Sequence, residues 1–519
     1  MRPITNDVLR QLKLADALVR VSQTERNLVP SQPGWDQLVK NNATIKRVVS
    51  YLENRFRRGI EVSTERELTA RKPGHGVRPV AFWGIEEQVL YDALVEAAVH
   101  GLPSLDRSVS KYIEFVEAPV VYARQIEKDR QLSEFDQILF SIINSEIKYV
   151  VSSDLTSFYQ YIDHAVLADE LIAQGANYDI VSHLVDLLSE VTGRPSGLPQ
   201  LYDASDRLSE VYVDQVERNL LRQGFAVWRF NDDFRIACRS FSESIAAIEA
   251  LDSAARSVGL AINELKTFTF HFSTYVLNTY GIDSLPEGGT ISMDDVEAIA
   301  GDYQDDFSED SDSAAAVIRS ANISGQARGI DLREIDRDGV RRIRRALSAL
   351  ANEGNTAALE SAPLLMGFVP SLTPDLAKYL IAVGASGNAE RAGEVIDLIV
   401  ESVSLNTWQK VWLIECYRSL ELFSSATSTN NEARSEWIQQ CFYSGKEPLR
   451  AFAFRALAAA SRVAVYEAVE EAASSPGAVK AIYLASVSDH LSSGATQQEE
   501  KAVAALRETN EITKAILVR

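Results

Sequence analysis

Asp154-Leu155-Thr156-Ser157-Phe158-Tyr159-Gln160-Tyr161-Ile162-Asp163-His164 is the stretch from which this chain is best read. It closes the run KYVVSSDL at 148–155, whose length and paired valines predict a short buried strand. Asp154 therefore stands where a strand ends and the chain turns into a helix. A second stretch answers it. Phe230-Asn231-Asp232-Asp233 lies between two apolar runs, 226–230 and 234–239, and predicts a tight hairpin turn. If these strands are neighbours, Asp154 and Asp232 meet, and Asp233 completes the carboxylate cluster or tunes it. Two further blocks keep the order: Gly197-Leu198-Pro199-Gln200 ahead of a helix, and Leu260-Ala261-Ile262-Asn263-Glu264-Leu265-Lys266-Thr267.

Working outward, residues 60–81 predict two strands joined by the turn Lys72-Pro73-Gly74-His75-Gly76. Helices are expected at 85–100, 165–173, 177–191, 204–221 and 243–258, with a last strand at 268–272. Strands and helices mixed in this order predict an α+β unit whose sheet is covered by helices on one face. The composition then changes. Residues 294–312 hold nine acidic residues and no Lys or Arg, which reads as a solvated linker. Beyond Gly339 helix follows helix, with breaks at Gly354, Pro363, Pro370, Pro374, Gly384, Gly387, Asn406, Asn430, Gly445 and Gly477. That rhythm predicts an all-α domain of stacked helical hairpins of the HEAT type. The expected division is 1–145, 146–285, 286–335 and 336–519.

The bulk numbers set limits. A chain of 519 residues exceeds one hydrophobic core. With 46% hydrophobic and 24% charged residues and no long apolar run, neither a disordered chain nor a membrane span is expected. The first residues carry charges of both signs, unlike a secretory signal, so a cytoplasmic location is expected. Cys238, Cys416 and Cys441 form no Cys-x-x-Cys pair, which argues against a zinc site or a disulfide framework. The net charge of −21 opposes a broad phosphate-binding surface, although residues 1–100 hold 15 Lys or Arg against 12 Asp or Glu.

The chemistry follows from residue types. Joining a nucleotide to a growing strand is an in-line displacement at phosphorus, served by two divalent ions about 3.5 to 4 Å apart. Hard ions such as Mg²⁺ or Mn²⁺ require oxygen ligands, which Asp154, Asp232 and Asp233 supply. Backbone N–H groups from Leu155 to Phe158, at a turn entering a helix, suit a triphosphate. Lys266 is placed either to neutralise or protonate the departing pyrophosphate or to stand as a surface lysine.

The ordered set Asp-x-x-x-Phe-Tyr with Ile-Asp-His, Gly-Leu-Pro-Gln, aromatic-x-Asp-Asp and Leu-x-x-Asn-x-x-Lys-Thr resembles the palm motifs of reverse transcriptases, especially the bacterial branch. Arg78-Pro79-Val80-Ala81 with Gln88 resembles that branch's fingers motif. The resemblance implies a right-hand fingers and palm, and a metal set of Asp154, the Leu155 backbone, Asp232 and Asp233. It also implies that Arg78, assisted by Lys72, grips the triphosphate, that Tyr159 is a steric gate selecting deoxynucleotides, and that Gln200 packs near the incoming sugar. Departures accompany it. Gln200-Leu201-Tyr202-Asp203-Ala204 replaces the family's glycine-containing block and sets a bulky residue and a charge near the template path; Phe230 replaces a tyrosine, and no basic thumb follows.

A reverse-transcriptase palm followed by helical repeats is similar to the abortive-infection and defence-associated polymerases of bacteria. That likeness implies phage defence, homo-oligomeric assembly, and template-independent synthesis of single-stranded DNA, with protein priming as a route to covalently attached product. Tyr51, Tyr112 and Tyr122 are the unranked candidates for a priming tyrosine. The rivals are an RNA-templated enzyme of the retron or group II intron type, and a silent palm serving as a scaffold. Asp-Asp pairs at 294–295 and 305–306 show that such a dipeptide alone means surface charge in an acidic chain. Asp163-His164 reads as a structural cap, His75 as a solvated turn residue, and the run Arg341 to Arg345 as a solvated helix face that could pair with the acidic linker.

Overall fold

The computed structural model describes residues 1–24, 26–73, 76–126, 145–280, 311–328, 337–423, 431–491 and 496–517. Gly74, His75, Asn430 and the acidic stretch before Ser311, with its two Asp-Asp pairs, lie outside the described residues. Among those described, the chain is mostly helical and carries two antiparallel sheets.

The first sheet is the hairpin β1 (Arg66–Arg71) and β2 (Val77–Phe82), in which Ala70 faces Arg78 across the ladder. The second has four strands in the order β4 (Ala226–Phe230), β5 (Asp233–Cys238), β3 (Tyr149–Asp154) and β6 (Phe268–His271). Tyr149 pairs with Cys238, and the register runs without interruption to Asp154 opposite Asp233. Thus β3 is internal, and its last residue lies beside the β4–β5 turn. Asn231 accepts a left-handed backbone there, φ +54°, a conformation asparagine tolerates better than most residues.

Both faces of this sheet are covered, where the sequence predicted cover on one. Val151 belongs to the main core with the Asp203–Arg222 and Phe241–Ser257 helices. Its neighbour Val150 faces the other way and packs with Val120, Ala123, Phe272 and Val276 of the Val109–Ile126 and Phe272–Thr279 helices. Adjacent strand residues point to opposite faces, so two successive fully buried valines require two covered faces. Each contributes about 1.5 to 3 kcal/mol by burial, and a charge at either would break the sheet's packing.

In the C-terminal half, alternate helices stack in a row: Arg337–Asn352, Thr373–Val383, Thr407–Ser419, Leu449–Ala459 and Gly477–Leu491. This row closes on the N-terminal segments and the β1–β2 hairpin. Trp408 and Trp412 both donate their indole N–H to the Leu28 carbonyl, at 2.5 and 3.1 Å, and Phe452 meets Phe82 edge-on at 6.2 Å. Most of the acidic linker expected to pair with Arg341–Arg345 lies outside the described residues; Arg344 bonds Asp375 at 3.2 Å. Cys238, Cys416 and Cys441 are buried and free. No described helix is long and apolar enough to cross a membrane.

Candidate polymerase site

Asp154 ends β3 with its carboxylate nearly buried. Its Oδ2 accepts hydrogen bonds from Lys266 Nζ and, at 3.4 Å, from Asn263 Nδ2. Asp154 does not cap the short Phe158–Tyr161 helix, whose first flanking residue is Ser157. Lys266 reaches Asp154 because its block returns alongside: Asn263 N donates to the Asp154 carbonyl at 2.6 Å and Thr156 N to the Ala261 carbonyl at 2.8 Å. A short 3₁₀ turn, Glu264–Lys266, then aims the ammonium at the carboxylate.

Asp232 sits in the β4–β5 turn. Burial first, then the charges of Asp154 and Asp233, pushes its carboxyl up to about 7, with Lys266 pulling the other way. Its Oδ1 accepts from Asn231 Nδ2 at 2.8 Å. Asp233 faces Asp154 across the β3–β5 ladder. Three acids converging on one end of a sheet repel one another, and the ammonium of Lys266 supplies part of the missing positive charge. The donors are carboxylate oxygens, the type a hard divalent ion takes, and the mutual repulsion is what such an ion relieves. As the side chains stand, no described group of three His, Cys, Asp or Glu is gathered closely enough to hold a metal by itself. Asp154 instead accepts from Lys266, and Asp232 from Asn231.

The hairpin cations face this cluster. Partial desolvation and the neighbouring Arg78 and Lys266 push the Lys72 ammonium down, while Asp232 and Asp154 pull it up, so all five groups share one electrostatic neighbourhood. Arg78 Nε is buried without a hydrogen-bond partner. A buried donor left unmatched costs free energy, and an anionic oxygen entering the crevice would satisfy it.

One expectation needs correction. The N–H of Leu155 is taken by the Asp232 carbonyl at 3.2 Å and that of Thr156 by Ala261, which narrows the phosphate-facing amides to Ser157 and Phe158. Leu155 is buried and bridges Ile262 through bonds made by its neighbours, so its carbonyl is the group left to consider for a metal. Tyr159 lies at the same turn, but its hydroxyl is engaged. It donates to Asp206, and accepts from Arg107 Nη1 at 3.1 Å and Ser209 Oγ at 3.2 Å. Leu198 N donates to the Tyr159 carbonyl at 2.8 Å, holding the Gly-Leu-Pro-Gln block, with half-buried Gln200, beside Tyr159. Asp163 caps the following helix through Ala165 N and Val166 N, and His164 Nε2 bonds the Gly197 carbonyl at 2.8 Å.

Tyr202 corrects a second expectation. It is buried against Trp83, with the Arg26 guanidinium 4.5 Å from its ring, so it braces the hairpin and does not project into a template path. Gln88, carried by the resemblance, bonds the Trp83 carbonyl at 2.7 Å and also braces. Sequence reasoning missed Arg107, Asp206, Ser209 and Arg229, which surround Tyr159 and the β4–β5 turn. A polar stripe at Asp206 and Ser209, three residues apart on an otherwise apolar helix face, was the available signal. A cavity of about 760 Å³ lies elsewhere, in the seam lined by Arg26, Tyr202, Lys378, Trp412, Arg418 and Arg455, and none of the aspartates of the cluster lines it.

Residues 103–305, about two-fifths of the chain, match the family model described as reverse transcriptase (RNA-dependent DNA polymerase). No curated protein matches. Solved structures that match include telomerase from Candida albicans with a TWJ fragment of telomeric RNA, at 11% identity and TM-score 0.26, covering 73% of this chain and 64% of that one. The corresponding complex from Candida tropicalis gives 10% identity and TM-score 0.27, with 78% and 67% covered. The apo telomerase of Candida tropicalis gives 9% and 0.28, with 81% and 73% covered. This chain thus spans less than two thirds of the first of these. From 103 to 305 the chain carries a reverse-transcriptase domain, of the polymerase class of nucleotidyltransferases.

Proposed function

We propose that this protein is a metal-dependent DNA polymerase of the defence-associated reverse-transcriptase type, acting against phage without an added template. The observation that carries the polymerase reading is the acid cluster Asp154, Asp232 and Asp233, bonded by Lys266 and faced by Lys72 and the unmatched Arg78. Asp154, Asp232, Asp233 and the Leu155 carbonyl would hold Mg²⁺ or Mn²⁺, which when bound activates the attacking hydroxyl and stabilises the departing pyrophosphate. Arg78 and Lys72 bind the triphosphate, Lys266 moves from Asp154 to the leaving phosphates, and Tyr159 with Gln200 selects the deoxy sugar.

Template independence rests on the altered block after Gln200, where Leu201 stands in place of the family's glycine. Assembly falls to the alternating helices, read as HEAT-like. For priming, Tyr112 is favoured: its ring meets Phe230 edge-on at 5.3 Å, next to the Asn231–Asp232 turn. Tyr51 donates to Glu86 at 2.8 Å and is pushed up by burial and that carboxylate, while Tyr122 packs on Trp228.

Purified protein with Mg²⁺ or Mn²⁺ and labelled deoxynucleotides, without template, should yield DNA that migrates with the protein until protease is added. Tyr112→Phe lacks the priming hydroxyl and should yield no protein-attached DNA. No product with or without template and primer, or unchanged synthesis in Asp232→Ala, would sink the polymerase reading. Strict dependence on added RNA would favour the RNA-templated rival.

A further inference from the structure

The gate and the catalytic turn are joined by one side chain. Arg107 precedes the Val109–Ile126 helix, and its guanidinium is largely buried. Nη1 donates to the Tyr159 hydroxyl at 3.1 Å and lies 2.9 Å from Asp206 Oδ1. Nη2 donates to Asn231 Oδ1 at 2.9 Å and to Ser209 Oγ at 3.2 Å. An arginine only donates, so it fixes which end of the Asn231 amide is oxygen. The amide nitrogen must then face Asp232, whose Oδ1 it meets at 2.8 Å.

The backbone of the turn is held separately. Arg229 Nη1 donates to the Asn231 carbonyl at 3.1 Å, and Arg229 is itself anchored by Glu210 and by Glu217 at 3.0 Å. Removing Arg107 therefore leaves the main chain of the turn supported and frees only the side-chain relay.

Resting on the polymerase reading, we propose that Arg107 is a positioning residue coupling sugar selection to the metal-binding carboxylate: it sets the Tyr159 gate with one nitrogen and, through Asn231, the orientation of Asp232 with the other. A planar fork with donors in two directions is what this needs, and the single ammonium of lysine cannot make both contacts at once. The device splits into two arms. Asp206 holds the gate hydroxyl and the gate-side nitrogen Nη1, and Asn231 carries the arm that starts from Nη2.

The test uses the full chain and equilibrium binding, so turnover is not required. Affinities for dATP and ATP are measured by calorimetry with Ca²⁺, and Mn²⁺ affinity by electron paramagnetic resonance. Arg107→Gln should narrow the dATP preference about tenfold, the scale of a lost charge-assisted hydrogen bond, and also weaken Mn²⁺ binding. Asp206→Asn should narrow the preference and leave Mn²⁺ unchanged; Asn231→Ala should do the reverse. Arg107→Lys should restore one arm at most. Equal weakening of dATP and ATP in Arg107→Gln, with an unchanged ratio, marks plain structural support and overturns the proposal. A wild-type chain that prefers neither nucleotide overturns the gated-polymerase reading together with this inference, whereas a preference that survives in Arg107→Gln overturns the coupling alone.

Discussion

The sheet end at Asp154 and the helical half bury ionised side chains by opposite rules. In the helical half three arginines meet an acid on another helix: Arg434 with Asp397 at 2.7 Å, Arg455 with Asp489 at 3.0 Å, Arg450 with Glu471 at 2.7 Å. At the ends of β3 and β5 three acids converge, and Asp232 is forced towards its protonated form. The chain that pairs these arginines with single acids leaves an excess of acid at the sheet end. Such an excess costs stability and is kept where an outside cation and a phosphate complete the balance.

The largest test removes the excess. Asp232→Asn should lower nucleotide incorporation by about a thousandfold or more, measured as labelled product. It should also raise stability at pH 8. The folded chain holds the Asp232 proton up to about pH 7, whereas the unfolded chain releases it near pH 4. Between those values the folded state binds more protons, so stability falls as pH rises. The asparagine variant lacks that slope. Melting curves at pH 5 and pH 8 check it, and a variant that melts lower than wild type at pH 8 would break the contrast.

Next comes the opposite kind of site. Arg434→Met strands the Asp397 carboxylate, which also accepts from Tyr417 at 2.8 Å, and should cost about 3 to 5 kcal/mol in denaturant unfolding. Nucleotide binding by the surviving folded protein should hold. Lys266→Ala lies between the two. It should slow incorporation about a hundredfold with a smaller loss of stability than Arg434→Met, because Lys266 is two-fifths exposed and so partly solvated in its pair with Asp154. A loss of stability as large as that of Arg434→Met would show that the lysine is part of the frame.

Much of the palm was legible because its chemistry is local. The β4–β5 turn needed a residue tolerant of positive φ, and Asn231 stands there; the strand before Asp154 announced itself by Val150 and Val151. Those same valines also said that both faces are covered, a step missed because the Val109–Ile126 helix carries its apolar residues without a clean stripe. Arg107 was illegible for another reason. Its partners Tyr159, Asp206 and Asn231 lie 52, 99 and 124 residues away, so no window of sequence holds them together. The bracing role of Tyr202 likewise depends on Trp83 and Arg26, which only the fold brings near.

The seam with the helical half also carries a neutral shared bond, and it yields the smallest effect. Trp408 and Trp412 share one acceptor, the Leu28 carbonyl. Either tryptophan changed to phenylalanine leaves that carbonyl bonded to the other indole, so each single variant should cost only about 1 kcal/mol beyond the lost ring volume. Changing both strands a carbonyl at the seam and should cost more than the sum of the two. A double-mutant cycle in urea reads the excess directly. If the two costs simply add, the carbonyl finds another donor on its own, and the helical half is held to the N-terminal segments by ring packing such as Phe82 on Phe452 and not by this shared bond.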